Sequence, residues 1–245
     1  MKENVLERLA LVAALPQECW AVLNWPGWKK VSGSGDVSMY GLEGQGRVLR
    51  LAIGGMGERR ARFALGVLLE SFEADGIVSF GFGGALDPDL KVGEVVVGKG
   101  ILMWKGPGQV ILGDDLHWPW ETSGLKKASI ISAPRFVSKL EVIGDLPLKS
   151  FPAVLDLETF GLARDAAGRG IPFFSIRAIS DEFALDVGHR IGNLVDEQYR
   201  IRPSRMLLWL MSRPWEWILL WRLFRRARVA SRAMGKVLYE VLMKS

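Results

Sequence analysis

Through the first 180 positions, short apolar runs alternate with glycine-rich or polar breaks. The run 9–14 is uninterrupted and reads as a buried strand, with Pro16 placed to open a helix. Segments 28–31, 37–43 and 47–53 read as strands separated by Gly/Ser turns. The spacing over 59–73 is helical and puts Phe63, Val67 and Phe72 on one face. Strands follow at 76–80, 129–133, 153–156 and 171–179, with a long β-branched run at 92–103 and a loop over 113–127. A helix is expected from the end of strand 153–156 to about 168. From about Pro203 the pattern turns helical, breaks at Pro214 and resumes. Strands alternating with helices predict an α/β protein: a single-domain mixed β-sheet flanked by helices.

Composition narrows the function. The 245 residues include one cysteine, Cys19, and two histidines, His117 and His189. An internal disulfide, a cysteine-built zinc site and a histidine-rich metal site are therefore excluded, and a reducing compartment is expected. No signal peptide pattern is visible, and no apolar run reaches the roughly 20 residues of a spanning helix. The net charge of +5 is unevenly spread. Residues 200–245 hold 11 Lys and Arg against Glu216 and Glu240, a net +9, which leaves −4 on the rest. Four of the ten tryptophans (Trp209, Trp215, Trp217 and Trp221) lie in the same tail. A nucleic-acid binder would spread basic charge over its fold. The division drawn is a body over 1–200 and a basic, aromatic helical C-terminal extension over 201–245, packed on or continuing the same domain.

Polar and glycine residues gather where strands end, and that is where open α/β sheets bind ligands. Four such segments carry chemistry: Ala14-Leu15-Pro16-Gln17-Glu18, Gly54-Gly55-Met56-Gly57, Gly81-Phe82-Gly83-Gly84, and Asp156-Leu157-Glu158 together with Arg177-Ala178-Ile179-Ser180-Asp181. Taken singly, each has a plain structural reading. Glycine clusters are often tight turns, an Asp after a strand often caps a helix, and a first-turn Glu suits the helix dipole. Neither glycine cluster has the spacing of a phosphate loop or a dinucleotide fingerprint.

In order, the four segments resemble the purine/uridine nucleoside phosphorylase superfamily, most closely its 5′-methylthioadenosine/S-adenosylhomocysteine nucleosidase branch. The stretch SFGFGGALDPDLKVGEVVV (79–97) is similar to that family's glycine cluster followed by L-x-P-x-L-K-V-G-D-I-V-V. AVLDLETFGLARDAAGRGIPFFSIRAISD (153–181) is similar to its V-E-M-E-A, helix, P-F-x-x-x-R-A-I-S-D. The resemblance implies a nucleoside phosphorylase-like fold and cleavage of a purine N-glycosidic bond. It implies Asp181 as the acid at N7 of the leaving purine, and Glu18 as the base that activates water. Glu158 would bind ribose hydroxyls, Leu157 would line the sugar pocket, and Phe82 and Gly83 would contact the substrate. Phe136 would stack on the base, with Val137 contacting the base edge through its backbone. Gly55, Gly57 and Arg177 would form an anion or nucleophile loop. The only co-substrate implied is water or phosphate, with no cofactor and no metal; retention of Glu18 leans towards water. The partners implied are a small nucleoside and further copies of the chain, in the cytoplasm.

Three positions depart from the pattern: Gly54 and Phe82 where the family places serines, and Pro134 where it places Asp. They favour an alternative, a non-catalytic nucleoside-binding member of the fold. The tail departs too, because a basic helix rich in Trp and Leu suits a membrane surface as well as a packed face. Gly84-Ala85-Leu86-Asp87-Pro88-Asp89-Leu90, together with the Arg-rich end, also resembles the hopanoid-associated phosphorylases. That resemblance implies an adenosine bearing a lipid 5′ substituent and an enzyme peripheral to the inner membrane face.

Overall fold

The computed structural model describes residues 6–118, 120, 124–147, 150, 152–185 and 216–244. In chain order the elements are β1 (Arg8–Ala13), α1 (Pro16–Cys19), β2 (Lys29–Val31), β3 (Ser38–Gly44), β4 (Arg47–Ile53), α2 (Glu58–Ser71) and β5 (Gly76–Ala85). They continue with β6 (Val95–Gly106), β7 (Gln109–Asp115), β8 (Lys126–Ser132), α3 (Lys139–Ile143), β9 (Ala153–Asp156), α4 (Thr159–Gly168), β10 (Phe173–Asp181) and α5 (Glu216–Met243).

All ten strands belong to one mixed sheet, and half of it closes on itself. β5 pairs with β10, β10 with β6, β6 with β8, β8 with β9, and β9 returns to β5. Each strand of this ring contributes to a small interior cluster: Ala85, Val96, Ala128, Ile130, Val154 and Ile179. From β5 the sheet continues as an open wing through β1, β4, β3 and β2. β1 lies between two parallel neighbours, and its residues 9–13 are all buried. A strand covered on both faces must be apolar throughout, which is why 9–14 shows no alternation. Leu9, Leu11 and Ala13 face the core under α1 and α5, while Ala10 and Val12 face the core under α2.

Three expectations need correction. Phe63 is 57% exposed. The buried stripe of α2 runs through Ala61, Ala64, Leu65, Val67 and Leu68, so Val67 faces inward as expected, and the two alanines let the helix lie close to the sheet. Two positions on from Ala61, at about 100° per residue, Phe63 falls on the far side. Phe72 is extended and lies past the helix end. Residues 109–115 form β7 in a hairpin with β6, turned by Gly106 and Gly108, both at positive φ. The expected loop over 113–127 therefore begins inside a strand. Finally, Gly81-Phe82-Gly83-Gly84 is no turn: it is the second half of β5.

The helix expected from Pro203 to Pro214 lies outside the described residues. α5 divides in two along its length. From Ala230 onward, Met234, Leu238, Val241 and Leu242 are buried in the core with β1, β5 and β10. Nearer its start, Trp221 and Phe224 are exposed, with Arg225 stacked 4.7 Å over Trp221 and Arg228 4.8 Å over Phe224.

Candidate active site

One cavity of about 310 Å³ opens at the carboxyl ends of β1, β5 and β10, where the parallel strands of such sheets place their ligands. Its wall includes Glu18, Phe82, Gly83, Phe136, Val137, Leu157, Glu158 and Asp181, drawn from five separate stretches of chain. The local fold delivers each of them for a physical reason.

Pro16 opens α1 directly after β1 and turns Glu18 back under the strand end. Glu18 is 5% exposed. Its Oε2 accepts the N–H groups of Ala14 (2.9 Å) and Leu15 (2.8 Å), and its Oε1 accepts that of Phe82 (2.9 Å). A surface first-turn glutamate would have none of this. A Cβ on Gly81 would sit 2.7 Å from Glu18 Oε1, so the bare strand makes the approach possible. Burial raises the Glu18 carboxyl above its ordinary range, against the lowering effect of those N–H donors and of Arg177.

Glu158 stands where β9 hands over to α4. Its Oε1 accepts the N–H of Gly57 at 2.7 Å. Gly57 holds φ near 90°, a left-handed conformation that suits glycine and aims that N–H inward. Burial, then the neighbouring charges of Asp156 and Glu18, push the Glu158 carboxyl up to about 8.

Asp181 ends β10. The β10–β5 register shifts between Ile179 and Asp181, and an irregularity of this kind re-aims the side chain that follows it. Oδ1 accepts the Ser180 hydroxyl at 2.8 Å, and Oδ2 lies 2.5 Å from Lys139 Nζ. A Cβ on Gly84 would come within 2.9 Å of Oδ2. The glycine cluster thus leaves room for two acids at points three residues apart, roughly 10 Å along an extended strand.

Phe136 is half-buried on the wall, while Val137 is buried and packs among Leu86, Ile131 and Val142. Two residues of the expected anion loop stand elsewhere. Gly55 lies against Arg60, which pairs with Asp36. Arg177 lies beneath the cavity rather than in it. It is 2% exposed and donates through Nε (2.9 Å) and Nη2 (2.7 Å) to Asp156 Oδ2, and through Nη2 to Ser79 Oγ (2.8 Å). Asp156 Oδ1 accepts the Ser132 hydroxyl at 2.6 Å. This network ties β5, β8, β9 and β10 together directly below the site. A void of about 10 Å³ beside Glu18, Ser79, Glu158 and Arg177 has room for about one water. Sequence reasoning passed over Lys139, Met56 and Arg135, which also line the cavity; a helical lysine looks like a surface residue until the fold encloses it, while Arg135 lines the cavity and stays exposed.

Of the three departures from the family pattern, Gly54 has a physical account. A side chain at Gly54 would overlap Ala64 and come within 2.9 Å of the Arg60 carbonyl. The close contact with α2 therefore demands glycine there. Phe82 occupies the cavity wall and offers its backbone N–H to Glu18.

The family model of the phosphorylase superfamily matches residues 7–141. The chain belongs to the phosphorylase superfamily. A 5′-methylthioadenosine/S-adenosylhomocysteine nucleosidase of Maridesulfovibrio salexigens is 23% identical over 229 residues, covering 84% of this chain and 99% of that protein. Among solved structures, the nucleosidase of that name from Neisseria meningitidis, in complex with methylthio-immucillin-A, aligns with a TM-score of 0.68. It is 22% identical and covers 98% of this chain and all of its own. The futalosine hydrolase of Helicobacter pylori aligns with a TM-score of 0.63 at 16% identity, covering 96% of this chain and 99% of its own. For this superfamily member the alignments show that the fold extends past residue 141, through the β9–α4 and β10 segments that carry Glu158 and Asp181.

Proposed function

We propose that this superfamily member hydrolyses the N-glycosidic bond of an adenosine-type nucleoside. The observation that carries the reading is the convergence of Glu18, Glu158 and Asp181 on one cavity, each on a different strand end and each held by named partners. In this reading the base stacks on Phe136 with its N7 towards Asp181. A proton delivered there makes the purine a better leaving group. Glu158 accepts hydrogen bonds from ribose hydroxyls and so orients the sugar for cleavage. Glu18 takes a proton from the attacking water, a role its raised pKa suits.

Water is favoured over phosphate for two reasons. The carboxylate of Glu18 would repel a phosphate dianion, and Arg177 is already committed to Asp156, Ser79 and the Ile176 carbonyl. No cofactor enters this reaction. Leu15, Met56, Phe82 and Leu157 give the cavity an apolar side, which suits a 5′-methylthio or larger apolar substituent. The relatives named for methylthioadenosine support the same choice. The test is adenine release from 5′-methylthioadenosine in phosphate-free buffer. Cleavage that requires added inorganic phosphate would reassign the reaction to phosphorolysis.

A lipid-bearing 5′ substituent is a second reading, supported by the exposed Trp221 and Phe224 on an arginine-rich stretch of helix. It predicts salt-sensitive sedimentation with anionic vesicles at the inner membrane face; a chain that stays in the supernatant at low salt would remove it. The exposed Phe63, beside a groove lined by Arg59 and Pro134, supports a homo-oligomer. The burial of α5 from Ala230 onward supports a single domain that runs through the C-terminal extension.

A further inference from the structure

Lys139 is out of place by ordinary rules. It opens α3, it is 4% exposed, and lysines are almost never buried unless paired. Its Nζ lies 2.5 Å from Asp181 Oδ2, 2.8 Å from the Glu182 carbonyl and 3.2 Å from the Asp181 carbonyl. An ammonium has three donors, and here they meet three acceptors, all at the end of β10. The opposing strand is bare at the meeting point: a Cβ on Gly84 would lie 2.9 Å from Asp181 Oδ2 and 3.0 Å from Lys139 Cε. Both side chains also border the cavity.

A purely structural tie between α3 and β10 would not need a charge, since removing two ions from water costs several kcal/mol per ion before their attraction is counted. An aspartate paired with an ammonium is moreover short of the proton that a departing purine needs. Both facts are explained if the lysine is the proton's source.

We propose that Lys139 is a positioning residue that supplies, through Asp181, the proton delivered to the leaving purine. The inference rests on the nucleoside hydrolysis proposed above. The Nζ–H bond breaks as the proton moves to Asp181 Oδ2, and the Asp181 carboxyl passes a proton to N7. The C1′–N9 bond breaks, and its electron pair leaves with the base. The oxygen of water bonds to C1′, and Glu18 takes the water's proton. Lys139 ends neutral and Glu18 ends protonated, and exchange with solvent resets both after the products leave. No reactant beyond nucleoside and water is consumed.

The experiment compares two leaving groups on the same 5-methylthioribosyl unit, adenine and 4-nitrophenolate; the latter departs without being protonated. Turnover is measured for the wild type, Lys139→Met and Lys139→Arg, with thermal melting to confirm folding. The expected result for Lys139→Met is a loss of about 100-fold in adenine release, within the range for proton-transfer catalysis. Its loss on the nitrophenyl riboside should stay below about threefold, and Lys139→Arg, whose guanidinium keeps the charge but cannot give up a proton, should lose as much adenine release as Lys139→Met. Equal losses on both substrates, or unchanged adenine release, would overturn the role of Lys139 and leave the hydrolysis reading standing. A folded wild type that releases neither leaving group would overturn both.

Discussion

Among the four acids on the cavity wall, Glu158 departs far from an ordinary side chain of its type. Its carboxyl holds its proton up to about 8, through burial first and then the charges of Asp156 and Glu18. Between the ordinary 4.5 and about 8, the folded chain therefore binds more protons at this site than the unfolded chain does. Stability must fall as pH rises through that window. Glu158→Gln keeps an oxygen for the Gly57 N–H and removes the titration. Its melting temperature should gain on the wild type's between pH 5 and 8.5, read by calorimetry. Parallel curves would show that Glu158 is not held protonated. The buried pair of Arg177 and Asp156 behaves differently. Arg177→Met strands a carboxylate at the base of four strands and should cost about 3–5 kcal/mol in denaturant unfolding. A cost below 1 kcal/mol would mean that the network is not a structural tie.

At the scale of elements, the legible features were those written as runs. β1, β4, β9 and the α4 segment follow from apolar stretches and their breaks, and the resemblance of 14–18 and 153–181 led to Glu18, Glu158 and Asp181. What remained hidden depends on contacts between elements. The Gly81–Gly84 stretch looks like a turn in one dimension, yet it is a strand whose missing side chains admit Glu18 on one side and Asp181 with Lys139 on the other. The helical period of α2 and the burial of Val67 were legible, but Ala61, Ala64, Leu65 and Leu68, not Phe63, complete its buried face. Arg177 sits within a matched motif, and its neighbours in sequence do not reveal that its guanidinium turns down to Asp156. Lys139 carried no signal at all, because a lysine at a helix start normally points to solvent.

At the scale of the molecule, the +9 end of the chain contains a helix with two characters. Beyond Ala230, α5 is core. Met234→Ala should cost about 2–5 kcal/mol in a denaturant titration, as a fully buried side chain does. A cost under 1 kcal/mol would mean that the extension is only loosely attached. The exposed Trp221 and Phe224 contribute no such core, so they are where the surface chemistry of the extension resides. The acidic body gathers the carboxyls of Glu18, Glu158 and Asp181 in one cavity at the carboxyl ends of its strands. That enclosure is what lets neighbouring acids adopt different protonation states.

The central claim is that this cavity cleaves a purine from its sugar, with Asp181 delivering the proton. The most direct measurement is adenine release from 5′-methylthioadenosine in phosphate-free buffer by the wild type and by Asp181→Asn, both shown to be folded. The account predicts turnover by the wild type and a loss of about 10²–10⁴-fold in the variant. A folded wild type that binds the nucleoside and releases no adenine, or a variant as active as the wild type, would contradict it.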